Sequence, residues 1–500
     1  MGHPKIVLTA DRTLMSPYRN LSLATFFGCA PAIDPNRDHK SFWYKVLKNQ
    51  VTPKILFDFI CNYIPHTNGV ANYAPYGLRK VEAGLLRDGF SREEVVIAHP
   101  DHIEKFIGPE TQVVGTYEMD PLGMGPVTMT FTYGRKQTSY DEFYNRELHM
   151  RINAAKKKNG SNAKVIAGAS GTWQYNYAPE KIKEYGLYAI LEGELGGIAP
   201  EIDGHAGRFF NYLMNGDFEN MDPFRKRSDF KVNVKEFERD GEKIHGRFVN
   251  FWDRPDLDDI PEIVEPSMHG MIEVMRGCGR GCKFCDVTLR ALRYYSPEKV
   301  KKEIEVNLKG GQKSAWIHSD DIFVYGMDPR TSKGMEPNRD ALEELFTAIM
   351  STGVEHTNPT HGTLAGAIAD EKLIPNLSKI IRSGPDNMTG IQCGFETGSL
   401  RLIEKYADRK LAPYSPEEWH WVVKEGVKTL NESYWVPAFT LIMGLDNDET
   451  PEDSWETIQL INELEKEQPD SMFTATPLTF VPIGLLEKSE FFNKIGRAHV

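Results

Sequence analysis

The segment Arg276-Gly-Cys278-Gly-Arg-Gly-Cys282-Lys-Phe-Cys285 puts three thiols on one short stretch of chain. Thiolates spaced C-x3-C-x2-C can hold three irons of a 4Fe–4S cluster; a fourth cysteine would complete the usual electron-transfer cluster. Here the fourth iron stays open to another ligand. The glycines at 277, 279 and 281 let such a loop wrap a cluster without Cβ clashes. The same thiols with His269 could instead bind zinc, although structural zinc often pairs two knuckles and no second knuckle is present. Cys29, Cys61 and Cys393 are scattered and each reads as a buried small apolar residue. Six cysteines in 500 residues make no disulfide scaffold, and the clustering of Cys278, Cys282 and Cys285 points to a metal site in a reducing compartment.

This motif resembles that of the radical S-adenosylmethionine superfamily, C-x3-C-x-aromatic-C after the first strand of a partial barrel. The resemblance implies that the open iron chelates the amino and carboxylate groups of S-adenosylmethionine. One electron, from a donor such as ferredoxin or flavodoxin, would then cleave the sulfonium and yield a 5′-deoxyadenosyl radical. Phe284 would pack on the adenine. The segment His318–Gly326, with Ser319, Asp320 and Asp321, resembles the turn that binds the methionyl amino group; an exposed acidic turn is the alternative. Gly390–Ser399 resembles the fourth-strand motif through which Glu396 and Ser399 reach the cofactor, with a simple helix cap as the alternative for Ser399. Ala438–Gly444 resembles the fifth-strand adenine contact. Asp446, Asn447 and Asp448 stand where that family's following turn has Gly, Pro and Gly.

The elements that would position these residues form an α/β pattern. Strands are expected at Gly270–Met275, Ser314–His318, His356–His361, Thr389–Gly394, Trp435–Gly444 and Met472–Thr476. Helices alternate with them, as in a partial (β/α)6 barrel over 267–494. Residues 1–200 alternate in the same way, with strands near Lys5–Ala10, Glu94–His99, Thr111–Tyr117, Ala163–Ala167 and Leu187–Leu191. That predicts a Rossmann-like domain with a parallel sheet, whose strand ends form the ligand edge. Residues 201–266 are charged and turn-rich and read as a connector with some irregular or hairpin structure.

The first domain resembles the cobalamin-binding domain that precedes many radical enzymes. On that resemblance Tyr76, Gly77, Leu78, Glu118, Gly123, Gly168, Ser170, Gly171, Glu192 and Gly193 line the corrinoid edge; ordinary turn glycines are the alternative. No Gly-x-Gly-x-x-Gly opens the first helix, which disfavours a dinucleotide. The Asp-x-His-x-x-Gly motif of methylcobalamin enzymes is absent, and Asp203-Gly-His205-Ala-Gly207 is one residue short. His102 and His205 read as surface or core residues. Cobalamin is therefore expected base-off, with no protein His on cobalt.

Lys and Arg total 59 against 71 Asp and Glu, a formal charge of −12, which argues against non-specific nucleic-acid binding. No apolar run approaches the ~18 residues of a membrane span, and no signal peptide is evident. A cytoplasmic protein, at most peripheral to a membrane, is expected. Ile495-Gly-Arg-Ala-His-Val500 matches a translated sequencing-adapter string, so 495–500 reads as an adapter-derived tail on a chain cut near Lys494. The tandem resembles cobalamin-binding radical enzymes over nearly the whole chain. Pro266–Cys282 and Val7–Ser16 look most like archaeal members, a group that includes tetraether-lipid ring synthases. The implied activity is C–C bond formation at an unactivated carbon of a small molecule or an archaeal lipid. A C-methyltransferase and a non-catalytic corrinoid or redox sensor are the alternatives. A methylthiotransferase would need a second three-cysteine cluster, for which Cys29 and Cys61 are too few.

Overall fold

The computed structural model describes residues 2–18, 22–32, 53–195, 205–215, 230–239, 241–251, 254–327, 335–446, 449–484 and 486. The tail at 495–500, Asp203, Asn447 and Asp448 lie outside these residues. The chain forms two compact units, Met1–Met268 and His269–Val500.

The first unit is built on a seven-stranded sheet. Its strands are β1 (Ile6–Ala10), β2 (Val95–Ile97), β3 (Val113–Tyr117), β4 (Lys164–Gly168), β5 (Leu187–Glu192), β6 (Phe230–Arg239) and β7 (Glu242–Phe251). The order across the sheet is β6-β7-β5-β4-β3-β1-β2, so the first five strands run 2-1-3-4-5. They are mutually parallel, with Ile6 beside Val113 and Val113 beside Lys164. β1 is buried at every position, the signature of a strand covered on both faces. Its side chains divide by the two-residue period of a strand. Ile6 and Leu8 join one core with Leu78, Leu85, Phe209 and Phe210. Val7 joins the other with Leu148 and Ile152. The helices behind these cores are α1 (Tyr76–Arg87), α2 (Tyr140–Asn159) and α3 (His205–Asn215). Ser139 caps α2, accepting from the Glu142 N–H at 3.1 Å, and Gly160 ends it at φ 66°.

The 201–266 segment differs from a connector. α3 packs into the first core, and β6 and β7 pair as a ten-residue antiparallel hairpin that extends the sheet. β7 adds parallel to β5, with Phe248 beside Ile190. The physical reason is that α3 carries apolar Phe209, Phe210 and Leu213, and Phe248 and Val249 of β7 are fully buried. The compact unit accordingly runs to Met268 and not to 200.

The second unit has β8 (Met271–Glu273), β9 (Ser314–His318), β10 (His356–Pro359), β11 (His361–Gly362), β12 (Thr389–Glu396), β13 (Trp435–Met443) and β14 (Thr474–Thr479). They form two parallel sheets, β8-β9-β10 and β11-β12-β13-β14. β10 and β11 are one expected strand divided at Thr360. Its N–H donates to Ile317 O at 2.8 Å, and its carbonyl accepts from the Gln392 N–H at 2.9 Å. Thr360 thus hands the pairing from one sheet to the next, and the six strand positions curve as a partial barrel.

Candidate functional site

In the second unit the cysteine loop follows β8. A two-residue bridge closes its base, Met275 opposite Tyr294 and Arg276 opposite Arg293. Gly277, Gly279 and Gly281 all have positive φ. At Gly277 a Cβ would stand 2.7 Å from Arg290 O, so glycine is required there. Cys278 and Cys282 are buried and Cys285 is half-buried. Burial pushes the Cys282 thiol up to about 12 and Cys285 up to about 11, and the Lys410 ammonium opposes both shifts.

Arg280, between the first two cysteines, holds the loop. Its Nε donates to Asp321 Oδ2 at 2.6 Å, and its Nη1 donates to Lys410 O at 3.0 Å and to Ala412 O at 3.1 Å. Asp321 also accepts from Thr363 N–H at 3.2 Å and the Thr363 hydroxyl at 3.1 Å. Asp320 accepts from Gly277 N–H at 2.7 Å, and the Ser319 hydroxyl donates to His361 O at 3.0 Å. The turn after β9 therefore carries the cysteine loop; Asp321 is buried in that role and is no exposed acidic turn residue. Ser399 begins the Leu400–Tyr406 helix without capping it, and its hydroxyl donates to Asp453 Oδ1 at 2.6 Å. Phe284 packs beside Leu402, Tyr406, Leu445 and Phe480, next to the end of β13.

Glu396 ends β12 at φ 61°, just after a register shift. A non-glycine residue there is strained, as side chains at functional sites often are. Its carboxylate forms a buried ion pair with the Lys410 ammonium, whose charge acts on Cys282 and Cys285. Arg280 and Lys410 are absent from the motif reading. Arg280 could have been suspected from its place inside the motif. Lys410, beyond the next helix, carried no such signal.

The donor set fits a cluster better than one zinc ion. Among the described residues no group of three or more His, Cys, Asp or Glu converges to hold a single ion. His269 precedes β8 while the cysteines follow it, and its ring packs edge-on to Trp316. A cubane, by contrast, offers separate irons to separate thiolates. Arg280 Nη2 is buried without a hydrogen-bond partner among the described residues, a donor suited to the sulfur-rich face of a cluster.

In the first unit the 2-1-3-4-5 order puts the switch point between β1 and β3, where open α/β sheets bind ligands. The loops there are Asp11–Ser16 and Glu118–Gly125. The Glu118 carboxylate is turned into the core, taking hydrogen bonds from Thr116 and Tyr175, each at 2.7 Å, with His149 Nε2 at 2.8 Å. Leu78 also faces the core. A Cβ on Gly77 would meet the Tyr117 ring at 2.6 Å, one on Gly171 Met119 O at 2.3 Å, and one on Gly193 Phe251 O at 2.4 Å. These glycines are needed by the close approach of the protein's own atoms. Gly123 is buried at φ 67°, and Gly168 has only ordinary contacts. Glu192 accepts from Asn250 at 2.9 Å. Tyr76 is half-buried, and Met119, Ser170 and Gly193 form the exposed part of the edge.

Asp11 is buried at this switch point and was not anticipated. Its Oδ1 accepts from Thr13 N–H at 2.7 Å and Thr13 Oγ1 at 2.5 Å, yet burial pushes its carboxyl up to about 6. A raised carboxyl binds its proton more tightly in the folded chain, so its stability contribution is full below about pH 4 and lost as pH rises through about 6. Asp11→Asn keeps the Oδ1 acceptor and removes the charge. It is expected to gain on the order of 2–3 kcal/mol at pH 8 and nothing at pH 4. Urea denaturation across that range checks this; a loss of stability at pH 8 would show that the charge is needed.

No protein-family model matches the chain. It is 29% identical over 195 residues to a probable threonylcarbamoyladenosine tRNA methylthiotransferase of Pyrococcus horikoshii, covering 37% of this chain and 43% of that protein. A tRNA-2-methylthio-N(6)-dimethylallyladenosine synthase of Bacillus cytotoxicus is 24% identical over 221 residues, covering 44% and 39%. The chain thus spans less than half the length of these curated relatives. Among solved structures, the cobalamin-dependent S-adenosylmethionine radical enzyme OxsB, with aqua-cobalamin bound, superposes with TM-score 0.51 at 12% identity. That likeness covers 99% of this chain and 55% of OxsB, and it is a likeness of fold. With three thiols after the first strand of a parallel partial barrel, these likenesses support the radical S-adenosylmethionine enzymes as the family of this chain.

Proposed function

We propose that the chain is a radical S-adenosylmethionine enzyme whose first unit binds cobalamin, and that it forms a C–C bond at an unactivated carbon. The observation that carries the reading is the tandem itself. A parallel 2-1-3-4-5 sheet precedes a partial barrel with three thiols on its first loop. Cys278, Cys282 and Cys285 would hold a 4Fe–4S cluster, which when bound would supply the electron for reductive cleavage of S-adenosylmethionine. The chain's part is positional. Arg280 and Asp320 fix the loop, Lys410 sets a buried positive charge beside two of the thiols, and Phe284 offers an aromatic face near β13. Base-off cobalamin, with no protein His on cobalt, is inferred from the missing Asp-x-His-x-x-Gly motif. Among the described residues no helix is long and apolar enough to cross a membrane.

The resemblance to archaeal members favours an archaeal lipid as substrate. The curated relatives bring methylthiolation of tRNA as a second reading, but the first unit has only Cys29 and Cys61 for a further cluster. Anaerobic reconstitution with S-adenosylmethionine, hydroxocobalamin and a reductant, followed by mass spectrometry, tests the proposal. C–C bond formation should give 5′-deoxyadenosine without S-adenosylhomocysteine, and a product that has lost hydrogens. Equal amounts of both nucleosides would make this a C-methyltransferase. Cluster and corrinoid binding without 5′-deoxyadenosine would make it a sensor.

A further inference from the structure

Three cations near the cysteine loop are each paired with a carboxylate: Arg280 with Asp321 at 2.6 Å, Arg290 with Asp286 at 2.7 Å, and Lys410 with Glu396. The pairs differ in which charge the thiols meet. At Cys278 the Asp321 carboxylate outweighs the Arg280 guanidinium. At Cys282 the order is reversed, and the Lys410 ammonium outweighs the Glu396 carboxylate. Lys410 also acts on Cys285 and Cys393. The fold fixes this placement. The Lys410 N–H donates to Ala407 O at 2.9 Å, and its carbonyl accepts from Arg280 Nη1 at 3.0 Å. Its side chain returns over β12, where a Cβ on Gly394 would collide with both the Lys410 ammonium and the Glu396 carboxylate. The ammonium stands 6.0 Å from the centre of the Phe284 ring, and Phe284 lies between Cys282 and Cys285 in the chain.

Lys410 is buried, so water screens its charge poorly. Burial disfavours the ammonium, and Glu396 with Cys282 and Cys285 overcomes that cost and keeps it charged. An iron–sulfur cluster gains one negative charge when it accepts an electron, and its reduction potential follows the net charge, hydrogen bonds and solvent around it. A buried cation at the thiols therefore favours the reduced state, and a buried carboxylate favours the oxidised one. We infer that Lys410 is a positioning residue that raises the reduction potential of the cluster on Cys278, Cys282 and Cys285, and that Glu396 trims the effect from the far end of the pair. The inference rests on the cluster proposed above. It concerns how readily the chain accepts the electron, whatever the substrate. Arg280 has a different part: its charge is offset at Cys278 by Asp321, and its hydrogen bond to Lys410 O holds the segment that carries the ammonium.

The test uses the full chain reconstituted with iron and sulfide, without S-adenosylmethionine. Midpoint potentials are read by redox titration followed by electron paramagnetic resonance of the reduced cluster, with iron content measured alongside. Glu396→Gln removes the carboxylate and leaves the cation, so its potential should lie above that of the wild type. Glu396→Gln with Lys410→Met removes both charges without stranding either. That double variant should lie at least tenfold in the reduction equilibrium below Glu396→Gln, about 59 mV for one electron. A pair that serves packing alone could lower the iron content but would not order the potentials in this way. Equal potentials in the two variants at full iron content would overturn the inference and leave the cluster assignment standing. Should the double variant hold no cluster, Glu396→Gln against the wild type decides: a higher potential supports the inference, and an unchanged or lower one overturns it. A wild-type chain that takes up no cluster would overturn the reading beneath it, and this inference with it.

Discussion

Replacing any one of Cys278, Cys282 or Cys285 by alanine is expected to remove the visible absorbance of the cluster and all 5′-deoxyadenosine formation. The loop offers three thiols and the described residues around it offer no substitute: His269 is at the far end of β8, and Asp320 and Asp321 are bound to the loop itself. Two thiolates leave a second iron open, and such a cluster is lost instead of becoming slower. Iron analysis after reconstitution reads this directly, and a full iron complement in any single variant would remove the assignment. Three controls sharpen it. Cys393 is buried in β12 with its thiol pushed up to about 12. Cys61 lies in the aromatic core around Phe57, Tyr140 and Tyr144. Burial and the neighbouring Asp141 hold the Cys29 thiol far above its ordinary range. Alanine at these positions should leave iron content unchanged.

What could be read from the chain divides by distance along it. The C-x3-C-x2-C spacing is local, and so are the glycines that let the loop close. The buried β-strands were legible because Ile6–Ala10 and Val113–Tyr117 are near-continuous apolar runs ending at turn residues. The 2-1-3-4-5 order was not, because strand order is set by how crossovers pack and leaves no periodicity. The hairpin of β6 and β7 shows the limit well. Its strands alternate, but many outward residues are charged, so it looked like a connector; its place beside β5 depends on Phe248 and Val249 finding a covered face. The turn after β9 was read by its likeness to a cofactor-binding turn, and its bond to the cysteine loop could not be read with it. Asp321 is 41 residues from Arg280, and nothing local distinguishes a carboxylate that meets a cofactor from one that meets a buried guanidinium. Lys410 reaches Glu396 only after the Leu400–Tyr406 helix folds back.

Arg280→Ala should be the most damaging change outside the thiols. Arg280 is 1% exposed and the Asp321 side chain 2%, so truncation leaves a carboxylate in the barrel with no cation beside it. Breaking a buried pair in this way costs about 3–5 kcal/mol. Two further hydrogen bonds, to Lys410 O and Ala412 O, are lost with it, which frees the segment that carries Lys410. Urea denaturation of the metal-free chain measures the loss without confusion with iron binding. Reconstituted Arg280→Ala should also retain less iron, since its loop is no longer held. Lysine keeps the charge but cannot reach Asp321 and two carbonyls at once, so Arg280→Lys should recover only part of the stability. The charge itself can be isolated by a double-mutant cycle. Asp321→Asn with Arg280→Met should cost clearly less than the two single changes added together, because the second substitution removes the group the first leaves uncompensated. Additive losses would mean that Arg280 and Asp321 act separately. Wild-type stability in Arg280→Ala would mean that the glycine backbone and the Asp320 bond to Gly277 hold the cysteine loop unaided.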